Sequence, residues 1–178
     1  MKLKEIFFVR DARTVARDLL GKVLVRRINR KILKSKIVET EAYFDENDPA
    51  SKASKRKGDL KTTMLMPSGT ILVYGIHNNW LINFVTNSVG NAEAVLLRAL
   101  EPLNFDGNCK GPGLLTKTLK IDKSFHKKNI IRNNKIFIEE NDPKEKFEIY
   151  ESFRIGVTKD LPEKLRFYIK GNKNISRK

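Results

Sequence analysis

The run Ile37-Val38-Glu39-Thr40-Glu41-Ala42-Tyr43 limits the fold of this chain more than any other stretch, because it sets two carboxylates and a tyrosine on alternate positions of an extended segment. Strand side chains alternate between faces, so Ile37, Glu39, Glu41 and Tyr43 are expected on one side and Val38, Thr40 and Ala42 on the other. Residues 22–28 have the same extended character and are separated from residues 31–43 only by Asn29-Arg30. That spacing predicts a hairpin whose second arm carries the carboxylates. Before it, Asp11 is a plausible N-cap, and Val15, Ala16, Leu19 and Leu20 form an apolar stripe that stops at Gly21, which predicts a short amphipathic helix.

Downstream, the hydrophobic pattern fails over residues 45–63, where a polar, lysine-rich loop is expected with Asp48-Pro49 as its one capping signal. Long polar loops in compact domains are commonly functional or mobile. Residues 70–74, 80–86 and 94–100 read as a three-stranded meander, joined through the polar segments 75–79 and 87–90. Gly111-Pro112-Gly113 opens a helix that runs through Leu119 and is followed by Lys123-Ser124-Phe125; further strands are expected at 135–139, 154–157 and 165–170. Strands dominate. The 178 residues show no internal repeat, low-complexity tract or shift in composition, so one domain spanning 1–178 is expected.

Lys and Arg number 36 against 21 Asp and Glu, a formal charge of +15 that favours a nucleic-acid partner, although membrane surfaces also attract basic proteins. The single Cys109 excludes an internal disulfide, fits a reducing interior and reads as a small packing residue. His77 and His126 lie too far apart in sequence for a recognisable ligand spacing, and neither a metal nor a cofactor is expected. The apolar run near the N-terminus is too short, before Arg10 and Asp11, for a signal peptide or a membrane span, so a cytoplasmic, nucleoid-associated location is expected. In a chain this basic, a carboxylate beside an aromatic ring suits hydrolysis of the bond between a sugar and a planar base. One group handles water and the other stacks.

Five motifs occur in order: Val38-Glu39-Thr40-Glu41-Ala42-Tyr43, Leu96-Leu97-Arg98-Ala99-Leu100-Glu101-Pro102, Gly111-Pro112, Lys123-Ser124-Phe125 and Leu165-Arg166-Phe167-Tyr168. Together they resemble the alkyladenine (3-methyladenine) DNA glycosylase family from Ala16 to about Ser176. The resemblance implies an α+β fold, a single compact domain with a curved antiparallel sheet flanked by helices, acting as a monomer on double-stranded DNA with damaged purines. It implies extrusion of the damaged nucleotide, which costs a few kcal/mol, followed by hydrolysis through an oxocarbenium-like transition state. Glu41 matches the water-activating base, and Arg98 the arginine that helps hold the water. The Arg98 guanidinium is expected to keep Glu41 ionised against burial and the neighbouring Glu39. Tyr43 matches the aromatic that stacks on the flipped base, Tyr74 its opposite wall, and Asn83 a pocket asparagine that screens purines.

Two positions depart from the family pattern. Lys52 stands where the family usually has a histidine, eleven residues after Glu41, leaving it a base-binding candidate without an aromatic ring. The segment Gly75-Ile76-His77-Asn78-Asn79 is altered in length where the family places the side chain that fills the gap left by the flipped nucleotide, so Ile76 or His77 is the candidate wedge. Lys52, Lys55, Arg56, Lys57 and Lys61 could track phosphates beside the pocket. The same departures leave open a non-catalytic nucleic-acid-binding protein on this scaffold, and an RNA-directed module in which the motifs only maintain the fold.

Overall fold

Asp11 begins the helix that supports the site: its carboxylate accepts the Thr14 N–H at 2.9 Å and caps α2 (Ala12–Leu19), which follows a short α1 (Glu5–Phe8). A second carboxylate, Glu93, accepts the Ala12 N–H at 2.7 Å, so the helix start is satisfied from two directions. Leu20 leaves the helix and Gly21 turns the chain at φ +82°, where an added Cβ would lie 2.6 Å from the Phe147 ring. Only glycine fits there without strain. The computed structural model describes residues 1–54, 57–141 and 145–177.

The expected hairpin forms from β1 (Val23–Ile28) and β2 (Lys31–Tyr43), turning at Asn29 with φ +53°, a conformation asparagine tolerates. The meander is β3 (Ile71–Ile76), β4 (Asn79–Thr86) and β5 (Glu93–Pro102). With β6 (Ile136–Glu139), β7 (Ile149–Ser152) and β8 (Arg166–Ile169), these build a curved antiparallel sheet in the order β3-β4-β5-β2-β1-β6. The other edge of β2 is shared: β1 pairs with residues 31–36, β8 then takes over opposite Glu39, Thr40 and Glu41, and β7 extends β8. The segment carrying the two glutamates is therefore flanked by β5 and β8, and residues 37–42 are all buried. This is the α+β arrangement expected.

The strict alternation expected along 37–43 does not hold. The β2–β5 register slips between Ile37 and Glu39 and again between Glu39 and Thr40, a bulge that places Ile37 and Val38 in the same apolar core. Bulges bend a strand and re-aim its side chains. Here the irregularity lies where β2 exchanges β1 for β8. Against this strand, α2 packs Val15, Ala16 and Leu19 into the core, and Thr40 donates its hydroxyl to the Ala16 carbonyl at 2.8 Å. Fully burying a large apolar side chain such as Leu19, Phe84 or Phe167 contributes about 1.5–3 kcal/mol.

The expectation of an irregular loop over 45–63 is corrected: a 3₁₀ turn at Lys52–Ser54 and α3 (Asp59–Met64) lie within it. Ala53, Leu60 and Met64 explain them, because they form an apolar cluster against Leu72 and Tyr74 of β3. His126 helps hold α3 to β3, its Nδ1 accepting the Val73 N–H at 3.1 Å and its Nε2 lying 2.8 Å from Asp59. Asp48 is not a helix cap; its carboxylate is buried against Arg154. The strand expected at 154–157 is absent and the pairing lies earlier, at β7, because Arg154 turns inward to Asp48 and Gly156 follows at φ +75°. The helix at the Gly-Pro-Gly motif is α4 (Pro112–Thr118), and Lys123–Phe125 forms a 3₁₀ turn. Gly113 admits close approach to β4: a Cβ there would meet Asn79 at 2.7 Å. Among the described residues, no helix is long and apolar enough to cross a membrane.

Candidate active site

Glu41 sits opposite Leu96 of β5 and Arg166 of β8, with none of its surface exposed. Its Oε1 accepts the Ile155 N–H at 2.8 Å and lies 3.2 Å from Arg98 Nη1, while its Oε2 accepts the Tyr43 hydroxyl at 2.8 Å. Burial is the largest influence on this carboxyl and raises its pKa above the ordinary glutamate value. Arg98, Ile155 and Tyr43 pull it down without offsetting that rise. The expectation that Arg98 would prevail is corrected on this point. The reason is complete burial, to which the like charge of Glu39, itself accepting the Arg98 Nε at 3.1 Å, adds a smaller upward push.

A cavity of about 270 Å³ opens beside this carboxylate, lined by Tyr43, Lys52, Tyr74, Ile76 and Arg98 among others. Glu41 does not itself line the cavity; Tyr43 and Arg98, which do, connect to it. The Arg154 guanidinium lies 4.5 Å from the centroid of the Tyr43 ring, and the Lys52 ammonium lies 4.9 Å from that of Tyr74. Burial and the neighbouring Glu41 raise the Tyr43 pKa well above the usual tyrosine value, and burial pushes Tyr74 up to about 12, so both phenols are protonated at neutral pH. Two neutral rings and an arginine beside a buried carboxylate form a slot that suits a planar heterocycle.

The other expected residues are more dispersed. Asn83 is buried and donates its amide to the Leu72 carbonyl at 3.2 Å; it lines a recess of about 10 Å³ shared with Tyr43, Lys52 and Tyr74. His77 and Asn78 form the tip of the β3–β4 hairpin, both at positive φ, as a tight primed turn requires. Ile76 is partly exposed and lines the cavity, whereas His77 is not part of its lining. The sequence reading missed Trp80, a partly exposed ring across the hairpin from Gly75. Of the basic cluster, Lys55 and Arg56 lie outside the described residues, and Lys61 pairs with Glu46 at 3.0 Å.

Arg154 was also missed, and it organises one wall. Its Nη1 and Nη2 meet the two Asp48 oxygens at 2.6 and 2.7 Å, Nη1 also donates to the Ala42 carbonyl at 2.9 Å, and Nε reaches Asp160 at 2.9 Å. Burial works against both charges. The Arg154 hydrogen bonds outweigh it for Asp48, holding that carboxyl below the usual range, and the two aspartates outweigh it for Arg154, raising the guanidinium pKa. No local signal marks this pair, whose members are 106 residues apart. Among the described residues, no group of three or more His, Cys, Asp or Glu is arranged to hold a metal ion.

A profile of the Methylpurine-DNA glycosylase (MPG) family matches residues 6–173. The chain belongs to this family. Relatives named "Putative 3-methyladenine DNA glycosylase" include one from Aeropyrum pernix, 40% identical over 98% of this chain and 93% of its own length. Another, from Clostridium tetani, is 40% identical over the whole of both chains, and one from Borrelia garinii is 39% identical over 97% and 98%. In this member of the methylpurine-DNA glycosylase family, Lys52 stands beside Tyr74 at the cavity.

Proposed function

We propose that this chain is a DNA glycosylase that receives an alkylated or deaminated purine, turned out of double-stranded DNA, in the cavity lined by Tyr43 and Tyr74. The observation that carries the reading is the buried Glu41 carboxylate, oriented by a backbone N–H, a phenol and a guanidinium directly behind the Tyr43 and Arg98 wall of that cavity. Its raised pKa makes it a better proton acceptor than an exposed glutamate. Water bound to Oε2 attacks the anomeric carbon as the glycosidic C–N bond breaks; the bonding pair leaves with the base, and the proton passes from water to Glu41. The ionised carboxylate also faces the positive charge that develops on the sugar. Tyr43 and Tyr74 stack on the base, contributing roughly 1–3 kcal/mol per stacked base, while Arg98 holds the carboxylate and the water. Ile76, His77 or Trp80 at the hairpin occupies the gap in the duplex.

Duplexes carrying single 3-methyladenine, 7-methylguanine, hypoxanthine or ethenoadenine lesions, treated with alkali after incubation, test this reading. Strand cleavage at the lesion is expected. A protein that only binds would instead retard the duplex in a salt-sensitive manner and release no base. Because a carboxylate activates the water, excision is expected to survive EDTA. With a formal charge of +15, binding should fall linearly in log affinity against log salt, at close to one unit per phosphate contacted. Restoration of lost activity by a divalent ion would contradict the carboxylate mechanism.

The enzyme of this reading leaves intact abasic sites. The Lys52 ammonium lies 4.9 Å from the centroid of the Tyr74 ring, a cation–π contact that a neutral, nucleophilic amine would forgo. Borohydride treatment during turnover is expected to trap no protein–DNA adduct. An adduct that disappears in Lys52→Ala would show that the lysine attacks the sugar and that the protein is also a lyase.

A further inference from the structure

Glu39 is as deeply buried as Glu41 and has no part in the proposed chemistry, yet four donors converge on it. Arg98 Nε lies at 3.1 Å and Arg166 Nε at 2.7 Å, while Ser176 supplies its backbone N–H at 2.5 Å and its hydroxyl at 2.7 Å. The Ser176 oxygen also accepts from Arg98 Nη2 at 3.3 Å, and Arg166 donates to the Arg177 carbonyl. The C-terminal segment is itself anchored. Asn172 donates to Glu101 at 2.9 Å and accepts the Asn174 N–H at 2.8 Å, and Ile175 packs on the main core. Asn174, Ile175 and Ser176 lie beyond the residues matched by the family profile, which ends at 173.

We propose that Ser176 is a positioning residue for Glu41: by satisfying Glu39, the C-terminal strap leaves Arg98 free to extend its Nη1 to the catalytic carboxylate. This rests on the reading of Glu41 as the base. An ionised carboxylate has about four acceptor sites, and a buried one left short of donors draws in whatever donor is near. Arg98 is that donor. Without Ser176 it shifts toward Glu39, and Glu41 loses the counter-charge that opposes its burial.

The groups facing Glu41 set the sign of the effect. They are Arg98 from β5, Tyr43 and Glu39 from β2, Tyr74 from β3, Arg166 opposite it on β8, and the Ile155 N–H. Of these, Arg98 is the positive charge within ion-pair distance, so weakening it raises the Glu41 pKa further. The base acts in its ionised form, so the acid limb of the excision profile moves to higher pH.

The test is single-turnover excision across the acid limb for the wild type, Ser176→Ala, Ser176→Thr and a chain ending at Ile175. Ser176→Ala is expected to move the limb upward and the truncation to move it further. An upward move of one unit makes excision about tenfold slower at a fixed pH below the limb. Each variant should approach the wild-type rate at high pH, and Ser176→Thr, which keeps the hydroxyl, should restore the limb. An unmoved limb in Ser176→Ala and in the truncation, whether the plateau is kept or uniformly lowered, would overturn the strap. Should the truncation fail to fold, Ser176→Ala, which retains the backbone N–H, decides alone. Absence of excision by the wild type on every lesion would overturn the glycosylase reading itself.

Discussion

Glu41→Gln abolishes base release, slowing single-turnover excision by three orders of magnitude or more, while lesion-containing duplex is still bound. A positioned general base contributes on the order of 10²–10⁴ in rate, and the same substitution removes the negative charge facing the oxocarbenium-like sugar, so the two losses compound. Glutamine keeps the shape, and its carbonyl can still accept the Ile155 N–H that Glu41 accepts at 2.8 Å. Stability should move the other way. A carboxyl whose pKa is raised by burial binds its proton more tightly in the folded chain, so folding stability falls as pH rises from the unfolded pKa through the folded one. A neutral glutamine escapes that penalty at neutral pH. The variant should therefore unfold at or above the wild-type temperature, which separates loss of chemistry from loss of fold. Wild-type excision rates in Glu41→Gln would remove Glu41 from the mechanism.

What was legible in the sequence follows from how local its cause is. The hairpin, the meander and α2 were read from two-residue and 3.6-residue periodicities and from the Asp11 cap, all of which operate within a few residues. Glu41 and Tyr43 were legible for the same reason, being neighbours on one strand that end up joined by a hydrogen bond. Arg98 entered through its motif, and the structure brings it to both glutamates. The bulge in β2 was not legible, because it arises from the exchange of β1 for β8, a segment more than a hundred residues away. Nor was α3, whose polar sequence is held helical by Leu60 and Met64 packing on β3 and by His126. Arg154 and Ser176 are common residue types in unremarkable contexts. Their roles come from partners 106 and 137 residues distant, Asp48 and Glu39.

The Arg154 pairing carries the largest expected effect on stability. Both side chains of the Arg154–Asp48 pair are fully buried, with two Arg–carboxylate hydrogen bonds at 2.6 and 2.7 Å. Truncating one partner strands the other charge, and breaking a buried pair in this way costs about 3–5 kcal/mol, a large share of the roughly 5–15 kcal/mol that keeps a domain folded. Arg154→Met should lower the urea midpoint by that amount, with Asp48→Asn lowering it less because the amide oxygen can still accept from the guanidinium. The double variant Asp48→Asn with Arg154→Met should be less destabilised than the sum of the two, since Asp160, the carboxylate left without Arg154, is partly exposed and no fully buried charge is left unpaired. The pH dependence follows from Asp48, whose pKa is held below the usual range: its contribution is present above the unfolded aspartate pKa and is lost as pH falls through the folded value. Excision should fall as well, because Arg154 underlies the Tyr43 ring at 4.5 Å and precedes Ile155, whose N–H orients Glu41. Additive losses in the double variant would show that Asp48 and Arg154 act separately, and that the cavity wall is held by Asp160 and the Ala42 carbonyl instead.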